Sequence, residues 1–341
     1  MKKNILKITK WLAAAGFVLA ALPAGGQALP SGLPSLNMTP TLSLTAMPQT
    51  PTPQSVVTIT AALSGATNLD NADYTWSVNG VEQAKSSGQN QNVFAFQVGN
   101  LGAVYKIGVS AMTQSGNRLS DFIALTVGDF DLTWNADSQA PASYRGKILP
   151  TRNSSVIISA FPRIYAPGTK NLIAGGDLTY NWNIDDKFIA DKSGAGKSSI
   201  SVKIDAAAGG DKSVRLEIKT ADNSVSAIKN ISIPVARPQT FIYFRDPETN
   251  FPYGSALKNL RVQPQPFDFI ARNYFFNAFD KNLKWQWSVN GNEVGGGNNP
   301  WLASIDLSSF GRYFAVQIQA TVQNPANADE STQSTLNIQL Q

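Results

Sequence analysis

One short phrase occurs three times in this chain: Tyr74-Thr-Trp76-Ser-Val78-Asn79-Gly80, Tyr180-Asn-Trp182-Asn-Ile184-Asp185-Asp186 and Trp285-Gln-Trp287-Ser-Val289-Asn290-Gly291. The central tryptophans, at 76, 182 and 287, are 106 and 105 residues apart. That period is too long for a solenoid repeat and matches a whole small domain. The chain is therefore expected to hold three similar domains in a row.

The residues around each phrase alternate with the period of a half-buried strand. Val57, Ile59 and Ala61 alternate with threonines before the first phrase. After each phrase a second alternating set returns: Tyr105, Ile107 and Val109; Val214, Leu216 and Ile218; Phe314, Val316 and Ile318. A last strand closes each unit, over 122–127, 228–235 and 336–340. Outside the N-terminus no stretch carries a helical period. Asn79-Gly80 and Asn290-Gly291 favour a hairpin turn with positive φ at both central residues. Asp185-Asp186 lacks the glycine and predicts a different turn in the second unit. Pro48, Pro51 and Pro53 belong at an edge strand or a strand switch, because proline cannot donate to a ladder.

Short strands at this density, with a Trp on a central one, predict an all-β fold of three tandem immunoglobulin-like β-sandwiches. Trp76, Trp182 and Trp287 are expected between the sheets. Tyr74, Tyr180 and Trp285, two residues earlier, join them as the structural core of the repeats. The expected divisions are a signal peptide (1–28), a Pro/Ser/Gly linker (29–40), and domains at 41–128, 129–236 and 237–341. The junctions are only a few residues long, which predicts a semi-rigid array. The second and third units share a further echo: Ala160-Phe-Pro-Arg-Ile-Tyr165 corresponds to Ala271-Arg-Asn-Tyr274-Phe275-Phe276.

The N-terminus has the three parts of a secretory signal. Lys2, Lys3, Lys7 and Lys10 form the basic part, Trp11 to Leu22 the apolar part, and Pro23 to Ala28 the small-residue part. The apolar part is shorter than the ~20 residues of a bilayer span. Cleavage after Ala28 gives a chain starting at Leu29; an uncleaved leader is the alternative. The net charge is +5, but those four lysines leave only +1 on the rest, so no basic surface for nucleic acid is expected. No second hydrophobic span is expected after signal cleavage. Charged residues are 15% of the chain, below the usual ~25%, which suits an extracellular β-protein.

The chain has no cysteine and no histidine. This excludes disulfides, lipoprotein anchoring, Ser-His-Asp and Cys-His catalysis, and zinc sites built on those ligands. No pair among the 23 acidic residues stands out for hydrolysis, so no catalytic, cofactor or metal residues are expected. Asp70 with Asp73, or Asp185 with Asp186, offers loop oxygens for calcium, but neither pair has the spacing of a calcium loop. Ser193-Gly-Ala-Gly196-Lys197-Ser198 lacks the first glycine of a phosphate loop and reads as a hairpin loop. Trp134, Trp301 and the run Tyr274, Phe275 and Phe276 are candidates for interaction with a sugar or a protein, against packing in the core or between domains.

Tyr74-x-Trp76 and Gly311-Arg-Tyr313 resemble the immunoglobulin-like and PKD-like domains of bacterial surface proteins. The resemblance covers residues 40 to 341, although the Gly-Asp-Gly turn of the PKD pattern is replaced by Asn-Gly or Asp-Asp. It implies a non-enzymatic protein exported by the Sec route to the cell surface, serving as a spacer, display or adhesion module. Its partner would be a protein or a glycan. A subunit of a surface appendage such as a pilus, and a secreted carbohydrate-binding protein, are the alternatives.

Overall fold

The computed structural model describes residues 39–65, 71–295 and 299–341. The expected leader, residues 29–38 of the expected linker, and Asp70 lie outside the described residues. Pro40–Gln341 forms one compact unit. Its described residues are all-β and form six sheets. Among the described residues, helical geometry is confined to three single turns, Ala84–Ser86, Gly175–Asp177 and Asp280–Asn282.

The first pair of sheets uses β1 (Thr41–Met47), β2 (Val56–Ser64), β3 (Asp73–Val78), β4 (Val93–Gln97), β5 (Val104–Met112) and β6 (Arg118–Thr126). Strand order is β1-β2-β4 in one sheet and β3-β5-β6 in the other. The second pair repeats the pattern with β7 (Asp129–Ala136), β8 (Ser155–Arg163), β9 (Thr179–Ile184), β10 (Ser199–Lys203), β11 (Asp211–Lys219) and β12 (Ser226–Pro234). Its orders are β10-β8-β7 and β9-β11-β12. The third pair contains β13 (Gln239–Arg245), β14 (Asn259–Val262), β15 (Pro266–Tyr274), β16 (Lys284–Val289), β17 (Leu302–Asp306), β18 (Ala315–Gln323) and β19 (Ser331–Leu340). Here β13-β15-β17 faces β14-β19-β18-β16, and β14 is added parallel to β19. In the first two units the first, second and fourth strands share one sheet and the third, fifth and sixth the other, which is the immunoglobulin-type arrangement; the third unit keeps it with β14 added.

The alternation explains the layering. In β5 the inward Ile107, Val109 and Ala111 are buried, and the residues between them face out. The same holds for Val214, Leu216 and Ile218 in β11, and for Val316, Ile318, Ala320 and Val322 in β18. Most buried apolar side chains gather into three large clusters, each drawn from one third of the sequence, and a small fourth cluster holds Phe276, Leu283 and Val322. The closing strands begin earlier than their apolar alternation suggests, at Arg118, Ser226 and Ser331, because outward polar residues extend the pairing.

Trp76, Trp182 and Trp287 are 0%, 0% and 2% exposed. A buried indole N–H needs an acceptor. Each finds one in the backbone of the strand-to-strand connection: Gln91 O at 2.7 Å, Lys197 O at 2.9 Å and Pro300 O at 2.9 Å. The aromatic two residues earlier is tied similarly. Tyr180 Oη donates to Gly175 O and Trp285 Nε1 to Asp280 O, in both cases five residues back at the start of a helical turn. Tyr74 and Tyr180 are buried, and Trp285 is half-buried. A serine eleven residues after the Trp completes the motif in the first two units. Ser87 Oγ accepts from Trp76 N and donates to Gln83 O; Ser193 Oγ accepts from Trp182 N and donates to Ile189 O.

The expectation of a different turn in the second unit is corrected. Asp185 and Asp186 have φ of 48° and 61°, beside 51° and 83° for Asn79 and Gly80, and 48° and 83° for Asn290 and Gly291. The reason is the side chain at the first position. Asn79, Asp185 and Asn290 each accept a hydrogen bond through Oδ1 from a backbone N–H of the neighbouring strand or its lead-in: Lys106, Ser213 and Gln317. Aspartate does this as well as asparagine, and both tolerate the left-handed region.

Candidate functional site

The aromatic run falls where the second and third sandwiches meet. Gln139 and the run exchange backbone hydrogen bonds, Gln139 N to Phe276 O and Phe275 N to Gln139 O, both 2.7 Å. Tyr144 packs edge-on to Tyr274 and Phe275, with ring centroids 5.7 and 5.6 Å away. Phe275 and Phe276 are buried there, and Tyr274 shares a hydrogen bond with Tyr243. Burial and that bond push the Tyr243 phenol up from its ordinary value. Phe275 has φ of 66°, a strained conformation for a bulky residue that persists only where the surroundings over-determine it.

A carboxylate locks the same junction. Glu330 is 0% exposed. It accepts from Thr151 Oγ1 of the second sandwich, from Asn277 N and from Asn324 Nδ2. At its rim Asn327 Nδ2 donates to Arg152 O, and Arg152 pairs with Asp329 at 3.6 Å. A buried carboxyl is tolerated only when its oxygens are hydrogen-bonded, and here donors from both sides do it.

Beside this seam lies a cleft of about 430 Å³. Pro141 and Ser143 line it from the second sandwich, and Phe251, Arg272, Phe279 and Asp280 from the third. Phe251 and Phe279 are 65% and 60% exposed. Arg272 and Asp280 are half-buried. Asp280 Oδ1 accepts from Asn273 Nδ2 at 3.0 Å, and Asn273 is itself held by Thr240. Burial raises the Asp280 carboxyl above its ordinary value, against the Asn273 bond and the Arg272 charge. Burial lowers the Arg272 guanidinium, against Asp280. Sequence reasoning missed Arg272, Asp280, Phe251 and Glu330. The available signal was the echo around Ala271-Arg-Asn, which marked the segment but not the side chains.

The remaining candidates lie elsewhere. Trp134 is 7% exposed within the second core, and Lys147 Nζ caps its ring at 3.8 Å. Trp301 is half-buried, edge-on to Trp285 at 6.4 Å. Asp185 is engaged by Lys212, which is buried and also pairs with Asp205. Lys197 of the phosphate-loop-like segment donates to Asp191 O. The first and second sandwiches meet at Gly128, where a Cβ would lie 2.9 Å from Thr50, and at Gly168, where it would lie 2.6 Å from Ala124 Cβ. A cavity of about 270 Å³ remains at that seam. Among the described residues no helix is long and apolar enough to cross a membrane.

No protein-family model matches the sequence, and no curated protein matches it. Among solved structures the chain is similar to the three N-terminal domains of the highly immunogenic outer capsid protein of bacteriophage RB49, at 10% identity over 89% of this chain and 99% of that one, with a TM-score of 0.25. It is similar to the central fibronectin-III array of RIM-binding protein, at 13% identity over 89% and 98%, with a TM-score of 0.29. It is also similar to a structure concerned with host cell surface retention of a 1.5-MDa bacterial ice-binding adhesin, at 11% identity over 89% and 99%, with a TM-score of 0.24. Likenesses this partial say nothing about activity, and the strand order above defines the fold.

Proposed function

We propose that this chain is an exported, non-enzymatic display and binding protein of a bacterial cell surface. Three sandwiches, at 41–128, 129–236 and 237–341, are separate folding units that act as a stiff spacer. The seam between the second and third holds the face that meets a protein or a glycan. The observation that carries this reading is the closure of that seam by Glu330 and the Tyr144–Phe275 packing, which fixes two sandwiches around one open cleft. Function on such scaffolds resides in surfaces positioned by rigid elements.

The appendage alternative needs a free strand edge for pairing. The nine-residue edge strands β6 and β12 carry Asp121 and Lys229, charges of the kind that discourage edge-to-edge addition. Lys229 also folds back onto Asp129 and Phe130 O. The observations therefore favour display.

The test is to express the full chain in a bacterial host, fractionate the cells and determine the N-terminus. The reading predicts an exported form beginning at Leu29 that external protease can reach on intact cells or that is found in the medium. Retention in the cytoplasm with the leader intact on all molecules overturns it.

A further inference from the structure

Resting on the display reading, we propose that the cleft between the second and third sandwiches is a binding site for an uncharged saccharide, with Arg272 and Asp280 as its hydrogen-bonding pair and Phe251 and Phe279 as its apolar rim. Both charged groups line the cleft. Among the described residues the Arg272 guanidinium makes no side-chain hydrogen bond or ion pair, and Asp280 accepts through Oδ1, leaving Oδ2 without a protein donor. Guanidinium can only donate and carboxylate can only accept. Lining one cleft, they match a group that does both, such as a pair of sugar hydroxyls. An anionic ligand would meet Asp280, and a cationic one would meet Arg272, so the pair selects a neutral ligand.

The geometry around the pair supports a specific site over a solvated surface. Asn273, 7% exposed, fixes Asp280 through its Nδ2 while its own oxygen accepts from Thr240. A carboxylate positioned by a buried amide is preorganised, and preorganisation lowers the cost of binding. Phe251 and Phe279 present large apolar faces to solvent at the cleft, and covering them would favour binding. Sugar rings have apolar C–H faces as well as hydroxyl edges, so one ring can cover a phenyl while its edge reaches the pair. A bound peptide would need partners spaced along its backbone, whereas here the polar atoms without a protein partner belong to two side chains of one cleft. The volume of about 430 Å³ lies within the ~300–1,000 Å³ of small-ligand sites.

The test applies the full chain to immobilised cello-, xylo-, manno-, galacto- and chito-oligosaccharides, with uronate- and sialate-bearing glycans and a peptide library as comparison arms. Calorimetric titration of the best uncharged ligand follows, on wild type, F251A/F279A and R272Q. The expected result is retention on at least one uncharged oligosaccharide and a loss of at least ~tenfold in affinity, about 1.4 kcal/mol, in each variant. The phenylalanines are exposed, so the double variant is expected to keep its unfolding midpoint. Retention on no uncharged oligosaccharide, preference for the charged glycans or peptides, or unchanged affinity in a folded double variant overturns the proposal. Failure here with normal export sinks only the saccharide site; failure of export with intact sugar binding by purified protein sinks only the display reading.

Discussion

At the scale of single residues, each repeat solves one problem three times. An indole placed between two sheets must bury an N–H, and a backbone carbonyl in the following connection accepts it. In the first two units the serine eleven residues later satisfies the tryptophan's own backbone N–H. Ser193→Ala removes that acceptor from a buried donor and should lower stability by about 1–3 kcal/mol, read as a fall in the urea midpoint. The turn offers a second prediction. Asp186 occupies a left-handed position that glycine fills in the other two units. Asp186→Gly should relieve strain and raise stability by about 0.5 kcal/mol, and a lowered midpoint contradicts this. The three tryptophans were legible in the sequence because they stand in register. The serines also stand in register, yet a serine in a loop gives no sign of which backbone group it will meet. Asp185-Asp186 misled because the absence of glycine outweighed the Oδ1 bond that makes the same turn possible.

At the scale of elements, the three sandwiches close one corner differently. Two residues before Ile107, Val214 and Ile318, which pair with Val78, Ile184 and Val289, stand Tyr105 in β5, Lys212 in β11 and Val316 in β18. Tyr105 Oη accepts from Gly99 N at 2.7 Å, the tyrosine-corner arrangement of such folds. Lys212 instead donates to Asp185 and Asp205. Burial alone would lower its ammonium, but the two carboxylates outweigh this and hold it above 10.5. The bond from Lys212 holds the Asp205 carboxyl below 3.8. A lowered acid stabilises the fold above its ordinary value and loses that contribution as pH falls through the folded value. A raised lysine stabilises below its ordinary value and loses the contribution as pH rises through the folded one. Lys212→Met should therefore lower the urea midpoint by an amount that is flat between those limits, that shrinks below pH 3.8 as Asp205 protonates, and that shrinks again above pH 10.5 as the lysine deprotonates. Asp205 is 79% exposed, so the flat value is expected near the modest end, about 1–2 kcal/mol. The strands themselves were legible from period-2 alternation. Their ends were not, because outward serines and threonines continue a ladder without adding to the apolar signal, as at Ser226 and Ser331.

At the scale of the molecule, the seam between the second and third sandwiches was visible in the sequence only as a dense aromatic run. Alternation could not tell an exposed patch from a buried joint, since the partner, Tyr144, lies 130 residues before Tyr274. Glu330 was invisible for the same reason: its donor Thr151 is 179 residues away. Glu330→Gln puts an amide N–H₂ among donors and should loosen the joint. The expected sign is faster amide exchange at Gln139, Phe275 and Asn277, with the Trp182 and Trp287 cores unchanged; no change at those three amides contradicts the clamp.

Each recurring indole anchors its own pair of sheets. Trp182→Ala followed by hydrogen-exchange mass spectrometry tests this most directly. Truncating a buried tryptophan typically costs about 3–5 kcal/mol. Exchange should accelerate through β7 to β12 while β1 to β6 and β13 to β19 keep their wild-type protection. Acceleration spread evenly over all nineteen strands, or none in the second set, would contradict it.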